Sequence, residues 1–213
     1  MNGFTSKLTG WLMLLVGVTG ILAVLTLLLF FVGLFQNIES LSFMGHLNDT
    51  INGVAGILSA ILASVLYPTV RRLLPRFSLI LLIGVWIGAI AISYGSWLIV
   101  TGRSDVELSS YYFSFGNGLI GIWLWGLNRI TRQQAGWPRN LTRLGLIASA
   151  FMMVGLPGLY GILRGLDRSD FSPLMMVTGL GFLGTGILYP IWGLRQGHWI
   201  LSKQNDRAQA AQE

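Results

Sequence analysis

Six stretches of this chain contain no Asp, Glu, Lys, Arg or His, and each is about as long as a bilayer is thick: residues 8–38, 50–70, 77–102, 108–128, 144–163 and 171–194. A helix rises about 1.5 Å per residue, so about 20 residues cross a hydrocarbon core of about 30 Å. In lipid the backbone must satisfy its own hydrogen bonds, which leaves helices or a closed barrel. A barrel requires alternating segments of about ten residues, and the sequence has no such alternation. The expected fold is therefore all-α, a polytopic transmembrane bundle of six spans. Charged residues make up only 10% of the chain, against about 25% in an average soluble domain. The first run exceeds the roughly 7–15 residues of a signal-peptide core and meets no Ala-x-Ala site, so it reads as a retained span.

The chain is basic, with 14 Lys+Arg against 8 Asp+Glu. A stretch such as VLYPTVRRLLPRFSLIL, residues 65–81, invites a nucleic-acid reading. Its placement argues otherwise. Lys7, Arg71, Arg72, Arg76, Arg129, Arg132, Arg139, Arg143, Arg195, Lys203 and Arg207 all fall on one side of a six-span chain. Only Arg103, Arg164 and Arg168 fall on the other, among Glu39, Asp49, Asp105, Glu107, Asp167 and Asp170. Under the positive-inside rule both termini are cytoplasmic. The expected location is the plasma (inner) membrane, with residues 1–195 as the transmembrane domain and 196–213 as a cytoplasmic tail. The bilayer is the first partner, anionic lipid is a candidate at the basic loops, and nucleic acid is not expected.

Helix ends carry their own signals. Ser172-Pro173 is an N-cap followed by Pro at the first helical position, and Asp49 and Asn140 are candidate caps for spans two and five. Pro157, in GLPGLYG, removes a helix hydrogen bond and predicts a kink or break, a candidate hinge. Leu-Tyr-Pro closes spans two and six, which raises three repeated helical hairpins as an organisation.

Helices associate in lipid through small residues and polar side chains. Ser110, Ser114, Asn117, Gly121 and Asn128 lie on one stripe of span four, Gly84, Gly88, Ala91 and Gly95 on span three, and Asn52, Gly56, Ser59 and Ala63 on span two. These spans are expected inside, with span one facing lipid and Trp123 leaning toward lipid or a groove. The span-four stripe reads either as a cavity wall or as a packing seam; the seam is the expectation, with Asn52, Ser110, Ser114, Asn117 and Asn128 as its polar members.

Chemistry is sparse. With no cysteine, thiolate nucleophiles, zinc thiolate sites and iron–sulfur clusters are excluded. No ionisable residue lies within a charge-free run, where proton relays and ion pathways would need one. Glu39, His46 and Asp49 in the first outer loop are metal-ligand types that could share a divalent ion if the loop folded back; the plainer expectation is no metal and no cofactor. The expected role is a non-enzymatic membrane subunit or scaffold acting through helix contacts, with a membrane partner or a second copy of the chain. The alternative is a carrier or channel for a neutral or lipophilic solute or lipid, without proton coupling.

Leu47-Asn48-Asp49 near the start of span two, Pro68 ahead of Arg71-Arg72, and Tyr-Pro-Ile-Trp-Gly at 189–193 before a basic tail are similar to features of small bacterial multi-span inner-membrane proteins of unknown function. That resemblance implies a bacterial inner-membrane location and no activity or site residues.

Overall fold

The computed structural model describes residues 6–104, 106–133, 137–166 and 172–210. Every regular element in them is helical. In chain order these are α1 (Lys7–Gln36), a 3-10 turn (Glu39–Leu41), α2 (Phe43–Leu73), α3 (Ser78–Val100), α4 (Val106–Thr131), α5 (Arg139–Met153), α6 (Gly158–Arg164), α7 (Pro173–Gly179), a π-helical segment (Leu183–Leu188) and α8 (Tyr189–Ala210). They make six rods, the fifth being α5 with α6 and the sixth α7, the π segment and α8.

Five of these rods are long and apolar enough to cross a membrane. The exception is α4. At 26 residues it has the length, but the Ser, Asn and Gly residues along it lower its hydropathy. It is also the most enclosed rod, with more than half its residues buried.

Local chemistry explains where the rods begin and end. The Ser6 hydroxyl caps α1 by accepting from the Thr9 amide at 3.1 Å. Asn37 ends α1 in the left-handed region at φ 54°, a conformation that Asn tolerates better than most residues. Ile38 N–H then reaches back to Gly33 O at 2.8 Å. Ser172 caps α7 as expected, accepting from Met175 N at 3.1 Å ahead of Pro173. The chain also breaks at Pro157, which precedes α6 as its N-cap, with turns at residues 154–157 separating it from α5.

Each rod runs antiparallel to the one before it, and small residues set the close approaches. A Cβ on Gly88 of α3 would lie 2.5 Å from the Gly116 carbonyl oxygen of α4. One on Gly121 would lie 2.7 Å from Met152 Cβ of α5. The ring closes where α8 lies along α1: Gly193 faces Met13 O and Gly197 faces Gly10 O, at 2.9 and 2.7 Å from their would-be Cβ atoms. Helix backbones can approach this closely only where side chains are missing. The rods thus form a continuous up-down ring rather than three separate hairpins, and Lys7 and α8's C-terminal half share an end with Arg71 and Arg72. We call this the basic end; the 3-10 turn marks the other.

Several expectations change. Asp49 is not a cap: α2 starts two turns earlier, at Phe43, with Ser42 at its N-cap position. Asn140 lies inside the first turn of α5, where its Oδ1 accepts from the next amide, Leu141 N, at 3.0 Å. Trp123 is 2% exposed, because α4 is flanked by both α3 and α5. The outer face of α3, with Ile80, Ile83, Ile87 and Ile90, is exposed, so α3 is peripheral rather than interior. α1 does expose Leu22, Leu25 and Leu28, yet its other face carries the glycine seam against α8. α8 runs unbroken past residue 195, and Gln196 and Ile200 are fully buried in the bundle. The two Leu-Tyr-Pro segments occupy different settings. Pro68 lies near the end of α2, whereas Tyr189 is buried just after the π segment.

Candidate ligand cavity

A cavity of about 550 Å³ lies inside the ring, toward the end that holds the 3-10 turn. It is walled on one side by the α4 stripe and on the other by α1 and the sixth rod. Ser110, Ser114 and Asn117 recur at spacings of four and three, so their side chains project from one helix face. All three line the cavity, as does Asn52 from α2. Asn128, the last polar member of the expected seam, does not share this environment. It is buried at the basic end against Gly145 of α5, donating to Leu124 O at 2.9 Å. The stripe is therefore two things: cavity wall from Ser110 to Asn117, packing seam at Asn128.

The reason lies in what faces each turn. At Asn128, the α5 backbone comes close because position 145 is glycine. Near Asn117, α4 faces the sixth rod, where a turn at Leu180 and the π segment interrupt the α-helix between α7 and α8. Asn52, Ser110 and Asn117 have no side-chain hydrogen-bond partner among the described residues, so their donors and acceptors are turned to the cavity.

Its rim is polar. Asn48 and Asp49 line it, and the Asn48 amide lies 3.4 Å from Asp49 Oδ1. Asp49 is half-buried, and its backbone carbonyl accepts from the Ser96 hydroxyl of α3. Nearby, the buried Glu107 carboxylate accepts from Tyr111 Oη at 2.7 Å. That proton being committed, the Ser172 hydroxyl donates to Tyr111 Oη, also at 2.7 Å. This relay ties the start of α7 to α4. The sequence placed Glu107 in an outer loop and Asp49 at the cap of span two; the earlier starts of α2 and α4 carry both into helices. Asp105, Asp167, Arg168 and Asp170 lie outside the described residues.

The floor is made by Tyr189, Ile120 and Met152. Tyr189 Oη donates to Ser59 Oγ of α2 at 3.1 Å, and its ring stacks on Trp192 at 5.8 Å. Beneath it an apolar core of Met13, Leu62, Leu66, Leu124 and Trp192 closes the basic half. Two polar groups on the same face of α8, Trp192 Nε1 and the Gln196 amide, are buried there without a hydrogen-bond partner among the described residues.

The side wall is apolar and adaptable. Met175, Met176 and Phe182 come from α7 and the turn after it, while Val24 and Leu27 come from α1. Met176 is 63% exposed and Phe182 42% exposed although both line the cavity. These two residues thus carry the cavity's lining out to the bundle's apolar surface at α7. This helix packs on α4 and α6, whereas the sixth rod's contacts with α1 come from α8 and the π segment. The π segment carries Gly184 and Gly186, and such segments recur at functional sites.

Glu39 and His46 are exposed. Among the described residues no three His, Cys, Asp or Glu side chains are grouped so as to hold a metal. His46 and Asp49 stand one turn apart on α2, near enough for their charges to interact, and Glu39 is not grouped with them. The turn at Leu180 and the π segment in the sixth rod were not legible in advance. The only hints were Gly179, Gly181, Gly184 and Gly186, spaced too evenly to be told from packing glycines.

The fold and site define an all-helical chain with five helices able to cross a membrane and an internal cavity. Comparison with protein families, with curated proteins and with solved structures finds no match to this chain.

Proposed function

We propose that this protein is a polytopic protein of a bacterial inner membrane, with both termini cytoplasmic, that takes a lipophilic or amphiphilic solute from the bilayer into its cavity. Its role is that of a carrier or binding protein rather than an enzyme. The observation that carries this reading is the cavity itself, polar on its α2 and α4 wall and with its lining carried out to the bundle's apolar surface at α7. Its volume falls within the roughly 300–1,000 Å³ of ligand pockets. A scaffold acting through helix contacts alone has no use for such a space, because packed interiors leave few voids larger than a water. Membrane placement is supported by an exterior on which Ile80, Ile90, Leu163 and Met176 are each more than 60% exposed, whereas soluble monomers rarely expose contiguous apolar patches above a few hundred Å². The excess of basic residues at one end supports the orientation.

The test is to purify the protein from its native membranes in mild detergent and identify bound small molecules by native mass spectrometry. The Ala55→Trp variant, which fills the cavity from α2, serves as the control. A ligand retained by the wild type and lost from the variant is expected. Identical, ligand-free spectra together with a stoichiometric protein partner would return the scaffold reading to first place.

A further inference from the structure

We infer that the cavity selects an amphiphile with a positively charged amine head, the head meeting Asp49 at the rim and the alkyl chain entering past Met176 and Phe182. This rests on the cavity being a ligand site and names the ligand's chemistry. Among the described residues lining the cavity Asp49 is the one carboxylate, and none of them is Lys, Arg or His. Its side chain has a single hydrogen bond, at 3.4 Å, from Asn48. Its other compensation is the charge of exposed His46, one turn earlier on α2; a half-buried carboxylate so placed gains more from an approaching cation than a solvated one does, because the local dielectric is low.

Amide and hydroxyl oxygens complete the head site. Asn52 is three residues beyond Asp49, on the same side of α2, and Ser110 faces them from α4; neither side chain has a partner among the described residues. Their oxygens can accept from an ammonium N–H. A phosphate-bearing or carboxylate head would instead be set against Asp49 with no basic residue among the described lining to offset it. His46, one turn earlier, is exposed and outside the lining. Glu107 is buried and engaged by Tyr111. The tail meets the softest part of the wall, with Met152, Met175 and Met176 among its lining residues. Methionine's unbranched, polarizable side chain accommodates varied apolar shapes.

The experiment measures equilibrium binding of radiolabelled dodecylamine and dodecanol to the protein in phosphatidylcholine nanodiscs, with empty discs subtracted. Wild type is expected to bind the amine at least tenfold more tightly than the alcohol. Asp49→Asn should bring the amine to within threefold of the alcohol and leave the alcohol unchanged, whereas Asp49→Glu should keep the preference. Equal binding of both probes by wild type, or a preference that survives Asp49→Asn, would overturn the head-group inference. The cavity reading would still stand if Ala55→Trp abolished dodecanol binding. Binding of neither probe above empty discs would overturn both. Should Asp49→Asn fail to fold, the wild-type comparison of the two probes decides alone.

Discussion

The hydrogen bond from Tyr189 to Ser59 joins residues 130 positions apart and holds the sixth rod to α2 at the cavity floor. Its two partners are not equivalent. Ser59 Oγ also donates to Ala55 O at 2.8 Å, so Tyr189→Phe leaves no orphaned group, and the cost should be near the roughly 0.6 kcal/mol average for interhelical polar contacts in membranes. Ser59→Ala instead strands the hydroxyl of Tyr189, a residue only 6% exposed. An unsatisfied buried group costs about 1–3 kcal/mol. The double variant removes both partners and should be less destabilised than Ser59→Ala alone. Equilibrium unfolding in SDS–detergent mixtures, run as a double-mutant cycle, reads all three differences. The reasoning fails if Tyr189→Phe costs as much as Ser59→Ala, or if the two effects simply add.

The glycines of α3 make a paired test. Gly88→Val drives a side chain against the Gly116 backbone and should cost about 1–3 kcal/mol or more. Gly84→Ala, with nothing within 4 Å of its would-be Cβ, should be neutral or stabilising by up to about 1 kcal/mol through helix propensity; thermal unfolding in detergent compares them. For orientation, single cysteines replacing Ser42 and Asn205, both exposed, can be tested in intact cells with an impermeant thiol reagent. Labelling at 42 and protection at 205 is expected, and the reverse pattern inverts the topology. Gln196→Leu should raise the unfolding midpoint, since it replaces a buried amide without a partner among the described residues with an apolar side chain of similar length; a lowered midpoint would mean that the amide is satisfied in the folded protein.

Much of this molecule was determined by local rules acting along one helix at a time. Long charge-free runs become helices because the backbone has no other way to satisfy itself in an apolar setting. Ser172-Pro173 starts α7 and Pro157 interrupts the fifth rod because capping and the missing proline N–H act within a turn. The period of 3.6 residues likewise put Ser110, Ser114 and Asn117 on one face. What a periodicity cannot contain is the identity of the surface opposite that face. Only the tertiary arrangement decided that Asn128 meets the backbone beside Gly145 while Asn117 meets open space. The turn at Leu180 and the π segment of the sixth rod follow α7, whose start is tied through Ser172 and Tyr111 to Glu107, a chain of contacts spanning some 65 positions. Charge marks helix ends in sequence, but α2 and α4 extend beyond their charge-free runs because packing against neighbours stabilises the extra turns. That is how Asp49 and Glu107, which look like loop residues, come to sit within the walls of the bundle.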